Sequence, residues 1–256
     1  MRGSGHYTGR PWAHCTKQAT PLPRIANDIT DMKPASPMLQ RMVSRHLPTA
    51  FAIAAGVVVL IQAAGALAFH ALAYERDAVV AGEVWRLVTG PWVHLSWAHA
   101  ALNLGGLALV LMMFAPLVQP RVQVLGLVVI GTLTSALLAL FGAHIAWMVG
   151  LSGPLHGLFA ADALALATRR DPTPAHPWWR GPRYGWVLLG GLVLKLALEA
   201  LTQPQKQAGP PGWLGGPVLI EAHWAGTLAG LIVYVAWRAL SHQRAVAAQA
   251  PGAERE

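Results

Sequence analysis

The apolar residues of this chain gather into six runs, roughly 49–70, 98–117, 122–142, 150–168, 184–202 and 217–240. Each is near the ~20 residues that an α-helix needs to cross ~30 Å of hydrocarbon. The pattern predicts an all-α, polytopic membrane protein: a bundle of six transmembrane helices over residues 49–240. The fourth and fifth runs contain glycine and polar residues, which membrane helices tolerate when they pack on one another. Gly153/Gly157 and Gly226/Gly230 have the four-residue spacing of small residues that lets helices approach closely. The same spacing is equally expected by chance in a chain so rich in Ala and Gly.

Residues 1–48 lack apolar periodicity and hold seven basic residues. A signal peptide would place its apolar stretch near the start, whereas here the first run begins at residue 49. The expectation is a cytosolic, largely disordered tail, matched by a shorter cytosolic tail over 241–256. Met32, Met38 and Met42 all precede the first run, so a later start is open.

Composition supports the membrane reading. Of the 256 residues 54% are hydrophobic and only 12% charged, about half the share in a soluble domain. Disorder over most of the length is excluded, since disordered chains are poor in aliphatics. The single cysteine, Cys15, excludes an internal disulfide and any multi-cysteine metal site. The net charge of +8 does not form the basic stripe with interleaved aromatics that nucleic acid requires, so no nucleic-acid partner is expected. Instead it sets orientation. With the N-terminus inside, fifteen of the nineteen Lys and Arg residues fall on the inner side and three on the outer, with Lys195 in the fifth run. This bias places both termini in the cytosol.

Polar groups inside spans are costly, and each raises a functional question. Three clusters stand at helix starts: His94, His99 and Asn103; Gly150-Leu151-Ser152-Gly153; and Glu221-Ala222-His223. Runs two, four and six all pass from outside to inside, so their first turns share one depth. A serine, a histidine and a set of amide or imidazole donors from separate helices can then meet in one cavity open to the outer side. Those are the parts of acyl transfer: a nucleophile, a base and oxyanion donors.

In that reading Ser152 is the nucleophile, lying where free backbone N–H groups and the helix dipole favour negative charge. Gly150 and Gly153 allow a tight entry and leave room for a substrate. His223 is the general base, and His99 and Asn103, four apart on one helix face, donate to the oxyanion. Each residue also has a plainer role. Ser152 can cap its helix, and His223, His99 and Asn103 can serve packing and inter-helix hydrogen bonds. His156, four residues after Ser152, is a rival base, although side chains at that spacing point in parallel. A metal site from His94, His99, His223 and Glu221 is a weaker rival, with no His-Glu-x-x-His segment and poor ligand spacing. No cofactor or metal is expected.

The set of motifs resembles the rhomboid family of intramembrane serine proteases. Glu83-Val84-Trp85-Arg86, then His94, His99 and Asn103, looks like the family's Trp-Arg loop and His-x4-His-x3-Asn motif. Gly150-Leu151-Ser152-Gly153 is similar to its Gly-x-Ser-Gly motif, and Ala222-His223 with Gly226 and Gly230 to its last-helix histidine and glycine ladder. The resemblance covers roughly 49–240. It implies a Ser152–His223 dyad with no acidic third member, and an oxyanion hole of His99, Asn103 and the Ser152 backbone N–H, supported by His94.

Many rhomboids carry an aromatic four residues after the serine, against the catalytic histidine, and here that place holds His156. The run Gly150 to Phe159, together with Lys195, Glu199 and Glu221-Ala222-His223, resembles the rhombosortase branch. The branch implies a multi-pass protein of the bacterial inner (cytoplasmic) membrane. Its membrane-anchored substrates end in a Gly-Gly motif, a transmembrane helix and a basic tail, and the new C-terminus passes to water or a lipid-derived amine. Lys195 and Glu199 are expected chiefly to neutralise each other, Asp162 to be structural, and Trp85-Arg86 to anchor the first loop at the membrane interface. A rhomboid-like binding protein without turnover is the main rival. A transporter is disfavoured because the chain has no internal repeat.

Overall fold

The computed structural model describes residues 37–169, 181–206, 216 and 218–249. The elements run α1 (Pro37–Ala63), α2 (Gly65–Leu72), β1 (Tyr74–Glu75), α3 (Arg76–Val80), α4 (Arg86–Thr89), a 3₁₀ turn (Gly90–Trp92), α5 (Trp97–Phe114), α6 (Pro120–Phe141), β2 (Trp147–Met148), α7 (Ser152–Ala167), α8 (Pro182–Lys206) and α9 (Ile220–Gln249). Among the described residues four helices are long and apolar enough to cross a membrane: Trp97–Phe114, Pro120–Phe141, Pro182–Thr202 and Ile220–Arg244. The bent pair α1 and α2 makes a fifth if it is one span. The expected count of six is therefore not reached by length and composition.

Two departures account for the difference. The run 49–70 is not one straight helix: α1 and α2 meet at 107°, where Gly65 takes a left-handed φ of 59° that side-chain-bearing residues rarely adopt. The helix also begins at Pro37, inside the segment expected to be disordered. The remainder of that tail, residues 1–36, lies outside the described residues, as do Arg170, Arg180 and residues 250–256 of the C-terminal tail. The second departure is α7. Its 16 residues span about 24 Å at 1.5 Å per residue, short of the hydrocarbon thickness.

Helix α7 is the central element. Gly153, Leu155, Leu158, Ala160, Ala163 and Leu166 are all buried, and the helix packs against α5, α6, α8 and α9. The core around it includes Val58, Leu107, Leu111, Phe114, Leu127, Ile130 and Leu151. Large apolar side chains such as Leu60, Leu125, Phe141 and Val235 point outward, as expected of helices solvated by lipid.

The glycine pairs prove to be a contact. A Cβ on Gly153 would come within 2.5 Å of the Ala222 carbonyl oxygen, and a Cβ on Gly157, Gly226 or Gly230 would strike a facing backbone carbonyl. Only glycine lets α7 and α9 approach this closely. This contact fixes the separation of Ser152 from His223.

The loop after α2 is a folded structure. Tyr74 pairs with Met148 and Glu75 with Trp147 in an antiparallel bridge. Arg86, buried and ion-paired to Glu83 at 2.6 Å, donates to the carbonyls of Ala73 and His70 at 2.8 Å. It thereby satisfies orphan carbonyls at the end of α2. Trp85 Nε1 donates to Ala71 O at 3.1 Å. Arg86 is thus a buried cap for the bent helix pair, where an anchor at the membrane interface was expected. Deeper in the bundle, Gln123 donates to Asp162 Oδ2 at 2.5 Å, joining α6 to α7.

Candidate active site

Chain entry into α7 sets the site. Gly150 has φ of 100°, which turns the backbone after β2 so that the helix starts at Ser152. The N-cap position is Leu151, with no side-chain cap. Ser152 Oγ is therefore not engaged in capping. Its O–H donates to His223 Nε2 at 3.1 Å, across the glycine contact, and His223 is only 3% exposed.

The other ring nitrogen of His223, Nδ1, lies 2.9 Å from Glu199 Oε2. A carboxylate only accepts, so Nδ1 carries the proton and Nε2 is left to accept from Ser152. An acidic neighbour of this kind is contrary to the expectation of a pair with no third member. Lys195, one turn before Glu199, donates to Glu199 Oε1 at 2.8 Å, so the two do bond, as expected. Its ammonium also donates to His156 Nε2 and lies 3.4 Å from His223 Nδ1.

His156 stacks face to face on His223, with ring centroids 4.1 Å apart and planes 16° apart. Its Nδ1–H donates to the Ser152 carbonyl oxygen at 2.6 Å. Both nitrogens of His156 are thus engaged away from Ser152 Oγ, which leaves His223 as the imidazole placed to take the hydroxyl proton. Among the described residues, the ligand atoms that cluster as a metal would need belong to His156, Glu199 and His223, within 4.8 Å of one another. The Lys195 ammonium lies beside all three and already supplies the local positive charge.

His99 and Asn103 project from the first two turns of α5 over Gly150. A Cβ on Gly150 would lie 2.7 Å from His99 Nε2 and 3.5 Å from Asn103 Nδ2, so glycine is required for their approach as well as for the backbone turn. The N-cap Ser96 accepts from the His99 backbone N–H at 3.1 Å, which starts the helix that carries both donors. His99 Nδ1 accepts a long bond of 3.5 Å from the Leu95 N–H, leaving Nε2 as the protonated nitrogen. Asn103 Nδ2 is buried and unpartnered within the protein, a donor awaiting an acceptor.

His94 packs edge-on against His99 at 5.1 Å and bonds through Nδ1 to Trp92 O at 3.0 Å. Burial, then the nearby His99, pushes its pKa down to about 4, partly offset by the Trp92 bond. It is a neutral support behind the donor.

Ser152, His223, His99, Asn103, His156, Lys195 and Glu199 all line one cavity of about 1430 Å³. Its apolar walls come from Leu102, Gly106 and Leu109 of α5 and from Val187, Leu188 and Gly191 of α8. The three polar clusters of the sequence thus meet here. Missing from the sequence reading was the link from Glu199 to His223. The signal available was a carboxylate one turn from Lys195, inside an otherwise apolar run.

Residues 81–239 match the Rhomboid domain. The match covers more than half of the chain, and the chain belongs to the rhomboid family, a family of intramembrane protease type. With its apolar helices, it is a multi-pass membrane protein. No curated protein matches the sequence.

Proposed function

We propose that this protein is an intramembrane serine endopeptidase in which Ser152 is the nucleophile and His223 the general base. The observation that carries the proposal is the 3.1 Å contact of Ser152 Oγ with His223 Nε2 on the wall of a cavity that also holds unpartnered Asn103 Nδ2. As Ser152 Oγ bonds to the scissile carbonyl carbon, its proton passes to His223 Nε2. The carbonyl π electrons move to oxygen, where His99, Asn103 and the Ser152 N–H donate. Collapse of the oxyanion breaks the C–N bond, and His223 delivers the proton to the leaving nitrogen. Water then attacks the ester, giving a proton to His223, which returns it to Ser152.

The substrate is proposed to be a protein anchored by a C-terminal helix, with a Gly-Gly signal and a basic tail, cut near the outer face of a bacterial inner membrane. The rhombosortase-like features support this branch: His156 stacked on His223 in place of an aromatic, and the Lys195–Glu199 pair beside it. A helical peptide bond is shielded by its own hydrogen bonds, and Gly-Gly unwinds readily because glycine is a poor helix former. The basic residues of the loops support cytosolic termini.

The test is co-expression with a reporter ending in such a tail, followed by mass spectrometry of the reporter C-terminus. Wild type removes the tail and both Ser152→Ala and His223→Ala leave it intact. Added mass at the new terminus identifies transfer to an amine. Tail removal that survives Ser152→Ala contradicts the mechanism. Cleavage of a generic single-span protein but not of this reporter overturns the branch and leaves the peptidase. No processing of either substrate by wild type favours a binding protein.

A further inference from the structure

We infer that Glu199 is a positioning residue for the Ser152–His223 pair, held in place by Lys195 and His156 through a closed ring of hydrogen bonds. The inference rests on the peptidase reading above and deepens it. The ring can be followed proton by proton. Ser152 Oγ–H donates to His223 Nε2 at 3.1 Å, and His223 Nδ1–H to Glu199 Oε2 at 2.9 Å. Lys195 donates to the second carboxylate oxygen at 2.8 Å and to His156 Nε2. His156 Nδ1–H then donates to the carbonyl oxygen of Ser152 itself at 2.6 Å. Each link of the ring pairs a donor with an acceptor, and Glu199 on one side and Lys195 with the Ser152 carbonyl on the other fix the tautomers of both histidines.

The charges explain why the ring needs both Lys195 and Glu199. A lone carboxylate among membrane helices is costly, and Lys195 at i−4 neutralises it without occupying the oxygen that faces His223. Glu199 then holds the His223 ring with Nε2 toward Ser152 and stabilises the imidazolium that forms when the hydroxyl proton arrives. His156 passes the restraint to the Ser152 backbone, so that base and nucleophile are held from both ends. Stacking at 4.1 Å keeps the His223 ring in plane. Glu199 acts through His223 and requires no contact with substrate.

The test uses full-length protein in detergent micelles and a small monofluorophosphonate that reacts with activated serines, with the maximal inactivation rate and half-saturating concentration measured separately. Glu199→Gln is expected to lower the maximal rate by about 10² to 10⁴-fold with the half-saturating concentration unchanged. Glu199→Asp recovers part of the loss. If Glu199→Gln lowers the melting temperature, the double variant Lys195→Met/Glu199→Gln, which removes both charges together, shows the same loss in rate. Wild-type rates in both the single and the double variant overturn the inference while the peptidase reading stands. A change confined to the half-saturating concentration also overturns it and makes the pair a binding element. Failure of wild type to react at Ser152 overturns the peptidase reading, and the inference with it.

Discussion

Asn103 offers a measure of how individual side chains divide the work. Its Nδ2 is buried without a partner, and burying an unpaired amide costs of order 1–3 kcal/mol. An oxyanion beside Ser152 would satisfy it, so the bond is made only when charge develops and stabilises the transition state selectively. Asn103→Ala is expected to lower turnover of the tail-bearing reporter by about 10²-fold, the scale of losing one oxyanion donor. Thermal stability should hold or rise slightly, because an unpaired polar group is removed. A large fall in melting temperature with an equal fall in folded protein would instead make Asn103 a packing residue. Ser152, His223, His99 and Asn103 were legible as candidates because polar residues at helix starts are conspicuous in an apolar chain. The bond from Glu199 to His223 was not legible, since its carboxylate has an obvious partner at i−4 in Lys195. Which second partner it reaches depends on how α8 rotates against α9.

Among the elements, α7 and α9 matter most, because their backbones touch through Gly153, Gly157, Gly226 and Gly230. The nucleophile is on one helix and the base on the other, so any added atom at the crossing separates them. Gly226→Val places a branched side chain against the Gly153 carbonyl one residue from Ser152. It is expected to abolish reporter processing and to lower the melting temperature of the solubilised protein by several degrees. Gly190→Val, on α8 with open space around its α-carbon, should leave the melting temperature near wild type. Equal effects of the two changes would show that the crossing is not special. The glycine spacing was visible in the sequence, but chance explained it equally well until the carbonyl contacts were seen. The break at Gly65 was hidden for a different reason. Apolar character continues across Ala63-Ala64-Gly65-Ala66, and hydropathy records burial in lipid, not backbone direction. Arg86 was likewise read as an interface anchor because the carbonyls of His70 and Ala73 become its partners only once the chain has turned.

At the scale of the whole molecule, a short central helix is surrounded by longer ones, and a cavity lined by polar and apolar side chains opens among them. At about 24 Å, α7 is shorter than the hydrocarbon is thick, and Ser152 in its first turn lines a cavity walled by α5 and α8. The bundle and its order of segments were legible from hydropathy because lipid imposes long apolar runs on any spanning helix. The shortness of α7 was not, since the apolar run 150–168 includes the residues that turn into the helix. The central claim is that this fold activates Ser152 through His223. Its most direct measurement is peptide mapping by mass spectrometry of the full-length protein after reaction with the monofluorophosphonate. The account predicts one adduct, on Ser152, absent in His223→Ala although that variant remains folded. An unmodified Ser152 in wild type, or an adduct that forms equally well in His223→Ala, would contradict it.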